Sequence, residues 1–430
     1  MSEQVAGRGL PRALTPFRHA AYRRLAVALT LSTFASGVWT VALVWEVIRI
    51  EGGPAQLSVV STAGAVGVLV PALLGGVVAD RIPQKLILLV VAGVELAGMA
   101  LVSALSITDH TALWHLGAVA FVAGVGFAFY YPAYSAWLPA LVPESDLLAV
   151  NGFEGMVRPT VGQAIGPAVA GVVVGAVSPG AALAVAATSS LLGLVALTTV
   201  PLTPVRRDLE GEDRHPVISA LADMREGFSY MVRTPWLLAT LLYASLMILV
   251  IMGPFEVLIP FLVKDRLGGG PGDHAMVMAA FGIGGAVGSI VMASFQMPRR
   301  YLTFMNLMWG VGALPLLAIG FATEVWMVAA AGFLLGAFFS APMVIWGTLL
   351  QRRVPPHLLG RVASLDFFVS VSLMPVSMAM AGPVAEWLGL RTTFAIAAIV
   401  PGIAAALAIW LAKLPADELA HPLRSDTMSA

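Results

Sequence analysis

The 430-residue sequence contains no cysteine and few charged residues. Without cysteine, the chain has no disulfide, no thiolate nucleophile and no cysteine-ligated metal site. Charged residues make up 11% of the chain, whereas an ordinary globular domain has about a quarter. Acidic and basic residues balance at 24 each, and no basic stretch carries interleaved aromatic residues. The sequence therefore predicts no nucleic-acid partner.

Signatures of nucleotide and metal chemistry are also missing from the sequence. The short Gly-x-Gly stretches lack the strand–turn–helix context of dinucleotide binding, and there is no Walker lysine–serine signature. The seven histidines show no metal-ligand spacing. Since no nucleophile–base set is evident either, we expect no enzyme, no cofactor, no metal and no use of ATP.

Apolar residues are in excess, because 59% of the chain is hydrophobic and the mean hydropathy is +0.89. A membrane-crossing helix needs about 20 mostly apolar residues. Twelve runs meet this criterion, near 25–49, 56–79, 86–106, 112–138, 151–176, 180–201, 236–263, 274–297, 301–321, 325–350, 361–384 and 391–413. They are continuous runs, unlike the alternating segments of a membrane β-barrel. The sequence predicts an all-α membrane protein with twelve transmembrane helices.

The positions of Lys and Arg predict the orientation of these helices. With the N-terminus inside, 19 of the 24 basic residues lie in inner segments and four in outer ones, while Arg158 falls within a span. Inner loops of membrane proteins carry the excess of positive charge. We therefore expect both termini to be cytoplasmic, in a plasma membrane or a bacterial inner membrane.

The only long polar connection lies between the sixth and seventh spans and divides the chain into two halves. The stretch that follows it, 217–236, places the apolar residues Val217, Leu221, Met224, Phe228 and Met231 on one helix face, which predicts an amphipathic helix at the membrane surface. The halves echo each other: RIEGGP at 49–54 matches RLGGGP at 266–271, and GAVG at 64–67 recurs at 285–288. Parallel repeats of this kind place a substrate path at their interface. The predicted segments are a cytoplasmic N-terminal segment (1–24), a six-helix bundle (25–201), a linker (202–235), a second six-helix bundle (236–413) and a cytoplasmic tail (414–430).

The segment GVVADRIPQK at 76–85 resembles the signature between the second and third spans of the major facilitator superfamily, although Pro83 and Gln84 replace its glycine and arginine. The resemblance covers residues 17–413 and implies alternating access. It also implies a conformational latch at the inner surface, for which the residues are Gly76, Asp80, Arg81, Lys85 and Arg361. An aspartate in this place can face the positive end of a neighbouring helix dipole. The resemblance implies that this neighbour is span eleven, so we expect a contact between Asp80 and Arg361. The alternative is a charged turn that only sets the topology.

The fifth span contains Gly162, Gly166, Pro167 and Gly171, which resemble the Gly-x-x-x-Gly-Pro-x-x-x-Gly element of exporter branches of the superfamily. In those branches the element is associated with antiport, while small residues at this spacing also form purely structural helix contacts. The stretches VNGFEGMVRPTVGQAIGPAVAG and LLQRRVPPHLLGRVAS resemble the enterobactin-exporter and macrolide-efflux branch.

We therefore expect a monomeric secondary transporter that exports a moderately hydrophobic small molecule, such as a drug, a macrolide or a siderophore, in exchange for protons. The proton gradient would be its energy source. Two alternatives stand beside this expectation. One is an importer or facilitator of a small metabolite, and the other is a transporter-like membrane sensor or interaction protein.

Ionisable residues at membrane depth are costly and are functional candidates by default. Glu95 lies about 14 Å into the third span at a rise of about 1.5 Å per residue. It is either a proton-coupling site near the midplane or a neutral structural residue. Glu154 and Arg158 are one helical turn apart. They are either an internal counter-charge for a proton or an anionic substrate group, or an ion pair that steadies the fifth span.

Three further acids and several aromatic residues complete the candidates. Glu46 and Glu256 lie toward the outer ends of spans one and seven, either as cavity acids or as wetted end residues. Asp366, in the inner part of span eleven, either binds substrate or supports the latch. The aromatic residues that either contact a flat substrate or pack helices are Phe34, Trp39, Tyr130, Tyr134 and Trp346.

Overall fold

The computed structural model describes residues 12–69, 71, 78, 82–143, 146–203, 216–355 and 358–423, and almost all of them are helical. A 3₁₀ turn, Arg12–Arg18, precedes α1 (Ala20–Arg49). The rest of the first half consists of α2 (Pro54–Leu69), α3 (Gln84–Ile107), α4 (Leu113–Leu141), α5 (Leu147–Val157, a π-helical stretch Arg158–Ile165, and Gly166–Ala176) and α6 (Pro179–Thr198).

The linker and the second half contain eight further helices. They are α7 (Pro216–Arg233), α8 (Pro235–Gly253, continued to Arg266 with π-helical stretches Pro254–Leu258 and Leu262–Arg266), α9 (Pro271–Ser294), α10 (Tyr301–Gly312 and Pro315–Phe321), α11 (Val325–Arg353), α12 (Leu359–Val371 and Met374–Leu388), α13 (Leu390–Leu411) and α14 (Leu414–Ala420). The helix predicted within 217–236 is thus present as α7.

Among the described residues, eleven helical segments are long and apolar enough to cross a membrane: α1, α3–α6 and α8–α13. The remaining predicted span, 56–79, corresponds to α2, which is apolar but has only 16 residues. Most of the predicted continuation of this span lies outside the described residues.

The helices pair in the same pattern in both halves. In the first half α1 packs on α6, α2 on α4, and α3 on both α4 and α6. In the second half α8 packs on α13, α9 on α11, and α10 on both α11 and α13. The halves meet where α2 packs on α12 and where α5 packs on α9.

The repeated GAVG segments lie at equivalent helix crossings. A Cβ atom on Gly67 would collide with the carbonyl oxygen of Phe121 where α2 crosses α4, and one on Gly288 would collide with the carbonyl oxygen of Ala337 where α9 crosses α11. Glycine lets two membrane helices approach to backbone contact. The sequence echo between the halves therefore reflects one packing requirement that occurs twice.

The short helix α14 closes one end of the second half. The buried carboxylate of Glu418 accepts hydrogen bonds from the backbone N–H groups of Leu302 (2.9 Å) and Thr303 (3.1 Å) and from the Thr303 hydroxyl (2.7 Å). An acceptor at this place satisfies N–H groups that the first turn of α10 leaves without intrahelical partners. The predicted C-terminal tail therefore begins with a docked helix.

Candidate functional site

A cavity of about 540 Å³ lies between α1–α4 of the first half and α8, α9 and α12 of the second. Its wall is mostly apolar and includes Trp39 together with Met99, Met278, Met374 and Met378. Methionine is flexible and polarizable, so such a wall adapts to ligands of different shape. The volume falls within the range of about 300–1,000 Å³ that is typical of small-molecule sites.

Two carboxylates border this cavity from opposite halves of the chain. Glu95 lies on α3, and Glu256 lies on the π-helical stretch of α8, with its side chain exposed to the cavity. Within the part of the chain that the structure describes, neither carboxylate forms a hydrogen bond or an ion pair, and no Lys or Arg lines the cavity. A carboxylate without a partner is costly in apolar surroundings. Such an arrangement is typical of a site that binds a proton or a cation.

His274 is a cavity residue that sequence reasoning missed. It lies in the second turn of α9, its side chain is only 2% exposed, and its Nδ1 atom has no hydrogen-bond partner within the described chain. The sequence showed a histidine near a helix end without metal-ligand spacing. One signal was present in the sequence: His274 lies four residues after the glycine that precedes α9. At that position it lies within the helix and not in the loop before it.

Glu46 does not border the cavity, and the prediction of a cavity acid or a wetted end residue is wrong for this position. Its side chain is fully buried. The carboxylate accepts two hydrogen bonds from Arg49, one from Nη2 (2.8 Å) and one from Nε (2.9 Å), and a third from the Ser106 hydroxyl (2.7 Å). Arg49 also binds Asp109 (2.7 Å). Glu46 therefore joins the ends of α1 and α3, because its carboxylate turns toward α3 and an arginine lies one turn away.

Glu154 and Arg158 pair along α5 as predicted, with 3.7 Å between Oε2 and Nη2. The guanidinium also lies over the Tyr131 ring, 5.6 Å from its centre. Arg158 begins one π-helical stretch, and Glu256 lies in another. Stretches of this kind occur often at functional sites, so both candidate groups lie where the backbone departs from regular α-helix.

The first part of the span-five glycine element faces α1. A Cβ atom on Gly166 would lie 2.8 Å from Gly37 Cα and 3.0 Å from the Phe34 carbonyl oxygen, and one on Gly37 would collide with the Gly162 carbonyl oxygen. The buried Pro167 follows the π-helical stretch, at the start of the next α-helical segment. Gly162 and Gly166 thus bring α5 to backbone contact with a helix of its own half.

The last glycine of the element faces the other half of the chain. A Cβ atom on Gly171 would lie 3.0 Å from the Pro271 carbonyl oxygen and would collide with the Ala275 side chain of α9. Farther along the same pair of helices, a Cβ atom on Gly282 would lie 2.7 Å from the Gln163 side chain. Helix α5 is therefore packed closely on both sides, against α1 and against α9.

Most of the predicted latch lies outside the described residues, since Gly76, Asp80 and Arg81 belong to the part of the chain whose placement the structure leaves out. Lys85 donates a hydrogen bond to the Thr198 carbonyl oxygen (2.8 Å) at the end of α6. Arg361, at the start of α12, forms an ion pair with Glu226 of the linker helix α7. No local pattern indicated this partner, because the two residues are 135 positions apart.

Asp366 and Trp346 bind each other away from the cavity. The Trp346 Nε1–H donates to Asp366 (3.0 Å), whose carboxylate also faces the Ser370 hydroxyl (3.4 Å). Trp346 is buried and packs edge-on against Trp236. Of the two alternatives for Trp346, this conformation shows helix packing, because its ring and its N–H group both contact residues of neighbouring helices, α8 and α12.

Only one of the other predicted aromatic residues lines the large cavity, and that residue is Trp39. Phe34 packs against the helix core beside α5, and Tyr134 is fully buried. Tyr130 lies behind Glu95 and stacks on Tyr134. Among the described residues, no group of three or more His, Cys, Asp and Glu side chains is arranged to hold a metal ion.

Known proteins resemble this chain along almost its whole length. A family model described as transmembrane secretion effector matches residues 12–429. The multidrug efflux pump Tap of Mycolicibacterium fortuitum is 24% identical over 92% of this chain and 96% of its own length. Macrolide efflux protein A of Streptococcus pyogenes is 25% identical over 85% of this chain and 89% of its own length.

Solved transporter structures share the fold. The nucleoside transporter NupG has a TM-score of 0.72 at 12% identity, covering 91% of this chain and 99% of its own. A POT family transporter in complex with 5-aminolevulinic acid has a TM-score of 0.70 at 16% identity, covering 91% of this chain and 96% of its own. At these identities the likeness shows the fold alone.

Proposed function

The chain belongs to the transmembrane secretion effector family of the major facilitator superfamily, and from this we propose that it exports a moderately hydrophobic small molecule in exchange for protons. It is a multi-pass membrane transporter and not an enzyme. Its relatives are named as macrolide and multidrug efflux pumps, which supports export of a drug-like compound.

The observation that carries this proposal is that two carboxylates, Glu95 and Glu256, border one apolar cavity without a basic partner among the described residues. An apolar wall favours an apolar substrate, and two carboxylates without a Lys or Arg in the lining favour a positive charge over a negative one. The substrate class is therefore an apolar molecule with a basic amine or a fixed positive charge. This charge pattern disfavours anionic siderophores.

The proposed architecture has two six-helix bundles, 25–201 and 236–413, joined by the linker with α7, with twelve spans and both termini in the cytoplasm. The recurring helix pairings and the basic residues at one side support it. Alternating access then moves the bundles against each other along the α2–α12 and α5–α9 contacts. The Asp80–Arg361 latch stays part of the proposal, with Glu226 as a second acidic partner for Arg361.

In the proposed cycle, proton and substrate compete for the same carboxylates. Substrate enters from the cytoplasm when Glu95 and Glu256 are ionised, because the carboxylates attract its positive charge. On the outer side, protonation removes this attraction and the substrate leaves. The proton and the substrate bind differently to the inward-open and outward-open states, and this difference couples the movement of one to the movement of the other.

Transport by the purified protein in liposomes tests this proposal. Ethidium, a fluorescent lipophilic cation, and a radiolabelled macrolide serve as probes, with an imposed pH gradient as the driving force. We expect the wild type to move at least one probe against its gradient. Glu95→Gln and Glu256→Gln should slow gradient-driven transport by about tenfold or more. The control Glu324→Gln, at an exposed helix start, should behave as wild type.

The outcomes separate the proposal from its alternatives. Accumulation of a probe without any dependence on the pH gradient contradicts proton coupling and indicates a facilitator. Gradient-driven movement in the opposite direction indicates an importer. Purified protein that moves neither probe contradicts drug export.

A further inference from the structure

A buried polar cluster lies beside the cavity, between α1, α4 and α5. It consists of Tyr22 of α1, Tyr134 of α4, and the pair Glu154 and Arg158 of α5. Both tyrosine side chains are fully buried. Both hydroxyls interact electrostatically with the Glu154 carboxylate.

Four polar atoms of this cluster are buried without a hydrogen-bond partner within the described chain. They are the hydroxyls of Tyr22 and Tyr134, Oε1 of Glu154 and Nη2 of Arg158. Buried polar atoms of folded proteins are nearly always hydrogen-bonded, and each exception is costly. These atoms lie close to one another without optimal hydrogen-bond geometry: Arg158 Nη2 is 3.7 Å from Glu154 Oε2, and the Tyr134 hydroxyl faces the Glu154 carboxylate.

Tyr130 connects this cluster to the cavity acid Glu95. Glu95 borders the large cavity, and it also borders a narrow cleft of about 10 Å³ behind α3, whose wall includes Tyr130. A cleft of this size holds no more than about one water. The Tyr130 ring stacks on Tyr134, with 5.8 Å between ring centres and 10° between planes. The Tyr130 hydroxyl interacts electrostatically with Glu95, Glu154 and Arg158.

The cluster reaches the surface at the end of the bundle where α1 begins. The side chains of Glu154 and Arg158 are 13% and 34% exposed. Nearby, His19 at the start of α1 binds Asp146 at the start of α5 (3.1 Å). Among the described residues, α1 also contributes Tyr22 to the titratable groups of the cluster, and α4 contributes Tyr130 and Tyr134.

We propose that Tyr130, Tyr134 and Glu154 form a proton path from Glu95 to the cytoplasm, separate from the substrate cavity. This inference rests on the proposed proton antiport. Antiport requires Glu95 to lose its proton while the substrate enters from the cytoplasm and fills the cavity. The cleft lies on the other side of Glu95, so the proton leaves without passing the substrate.

The transfer conserves protons and needs no other reactant. The Glu95 carboxyl donates its proton to the first tyrosine. Each tyrosine hydroxyl accepts a proton and at the same time donates its original proton to the next group. The Glu154 carboxylate accepts the proton that the last tyrosine donates. The net change is an ionised Glu95 and a protonated Glu154, which then releases its proton to water. Arg158 is a positioning residue, because its guanidinium pairs with the Glu154 carboxylate along α5 (3.7 Å).

The test uses Tyr130→Phe and Tyr134→Phe, which remove only the hydroxyl groups and keep the rings in place. The matched control is Tyr243→Phe on α8, another buried tyrosine whose hydroxyl makes only a long hydrogen bond to Asn306 (3.5 Å). Three quantities are measured with ethidium: transport driven by a pH gradient, ethidium exchange at equal pH, and proton release when ethidium binds to the full-length protein in weak buffer.

We expect both cluster variants to slow gradient-driven transport and proton release by about tenfold or more, while exchange stays within about twofold of wild type. Exchange needs no net proton transfer, so it reports folding and substrate binding. Cluster variants that release protons as fast as wild type and Tyr243→Phe would overturn the path and leave antiport intact. Wild-type protein that moves ethidium without any proton movement would overturn antiport and the path together.

Discussion

Replacing Glu46 by glutamine should destabilise the protein without uncoupling transport. The glutamine has almost the same shape, but it carries no charge and turns an N–H₂ group toward the donors that now meet a carboxylate. Three hydrogen bonds are affected, two from Arg49 and one from Ser106, at 2.7–2.9 Å. Two of them form a bidentate, charge-assisted pair, which is the strong kind.

The magnitude follows from the burial of the two partners. Removing one member of a buried ion pair costs about 3–5 kcal/mol. The Glu46 side chain is 0% exposed but that of Arg49 is 29% exposed, and Arg49 keeps its second partner Asp109. Since solvent screens an exposed partner, we reduce the expected loss to about 2–3 kcal/mol.

The control is Asp109→Asn, which removes the other carboxylate from the same arginine. The Asp109 side chain is 83% exposed, and an exposed ion pair contributes about 0–1 kcal/mol. Thermal unfolding in detergent, followed by the fraction that still elutes as a monodisperse peak, ranks the two variants. We expect a clearly lower Tm for Glu46→Gln, a Tm near wild type for Asp109→Asn, and proton-coupled transport in both. A Glu46→Gln protein of wild-type stability that no longer couples transport to the pH gradient would refute this reasoning.

Three further substitutions test the packing and the cavity. Gly166→Ala should lower both Tm and transport, because the added methyl group overpacks against the α1 backbone at a cost of about 1–3 kcal/mol. The control Gly155→Ala on the same helix meets no atom within 4 Å and should be neutral. Equal effects of the two substitutions would contradict the close approach of α5 and α1. Glu418→Gln should lower Tm because it weakens three hydrogen bonds at the start of α10, and the exposed Glu386→Gln should not; a Tm scan of both variants decides. His274→Ala should weaken ethidium binding by about threefold to tenfold through the loss of one hydrogen-bonding position, which a fluorescence titration measures, and unchanged affinity would remove His274 from the site.

The helices were predictable because apolar run length is a local property. Eleven of the twelve predicted spans have a counterpart among the described residues, and the amphipathic segment forms α7. The π-helical stretches Arg158–Ile165 and Pro254–Leu258 were not predicted. An inserted residue in a helical turn has no distinct composition, although a proline lies within each stretch.

The glycine patterns predicted close approach but not the partner. The spacing of Gly162, Gly166 and Gly171 indicated a helix contact in span five, and the structure divides that contact between α1 and α9. Gly162 and Gly166 are four residues apart, whereas Gly171 follows Gly166 by five residues. Spacing of four residues keeps two small side chains roughly on one face of a helix. It says nothing about which helix lies on that face, because the partner is chosen by the topology of the whole bundle.

The intramembrane acids show most clearly that the position of a residue along its span does not predict its partners. Glu46 and Glu256 lie at similar depths near the outer ends of their spans. Glu46 nevertheless forms an ion pair with Arg49, whereas Glu256 borders the cavity. A local signal separated them: Glu46 has an arginine three positions later, whereas no basic residue lies within four positions of Glu256 or Glu95. An acid with a basic neighbour at helical spacing is neutralised at once along its own helix. An acid without such a basic neighbour either binds a residue distant in the sequence, as Asp366 binds Trp346, or is available to bind a ligand. Among the described residues, Glu95 and Glu256 have no such partner, which is why the proposed proton and substrate sites are assigned to them.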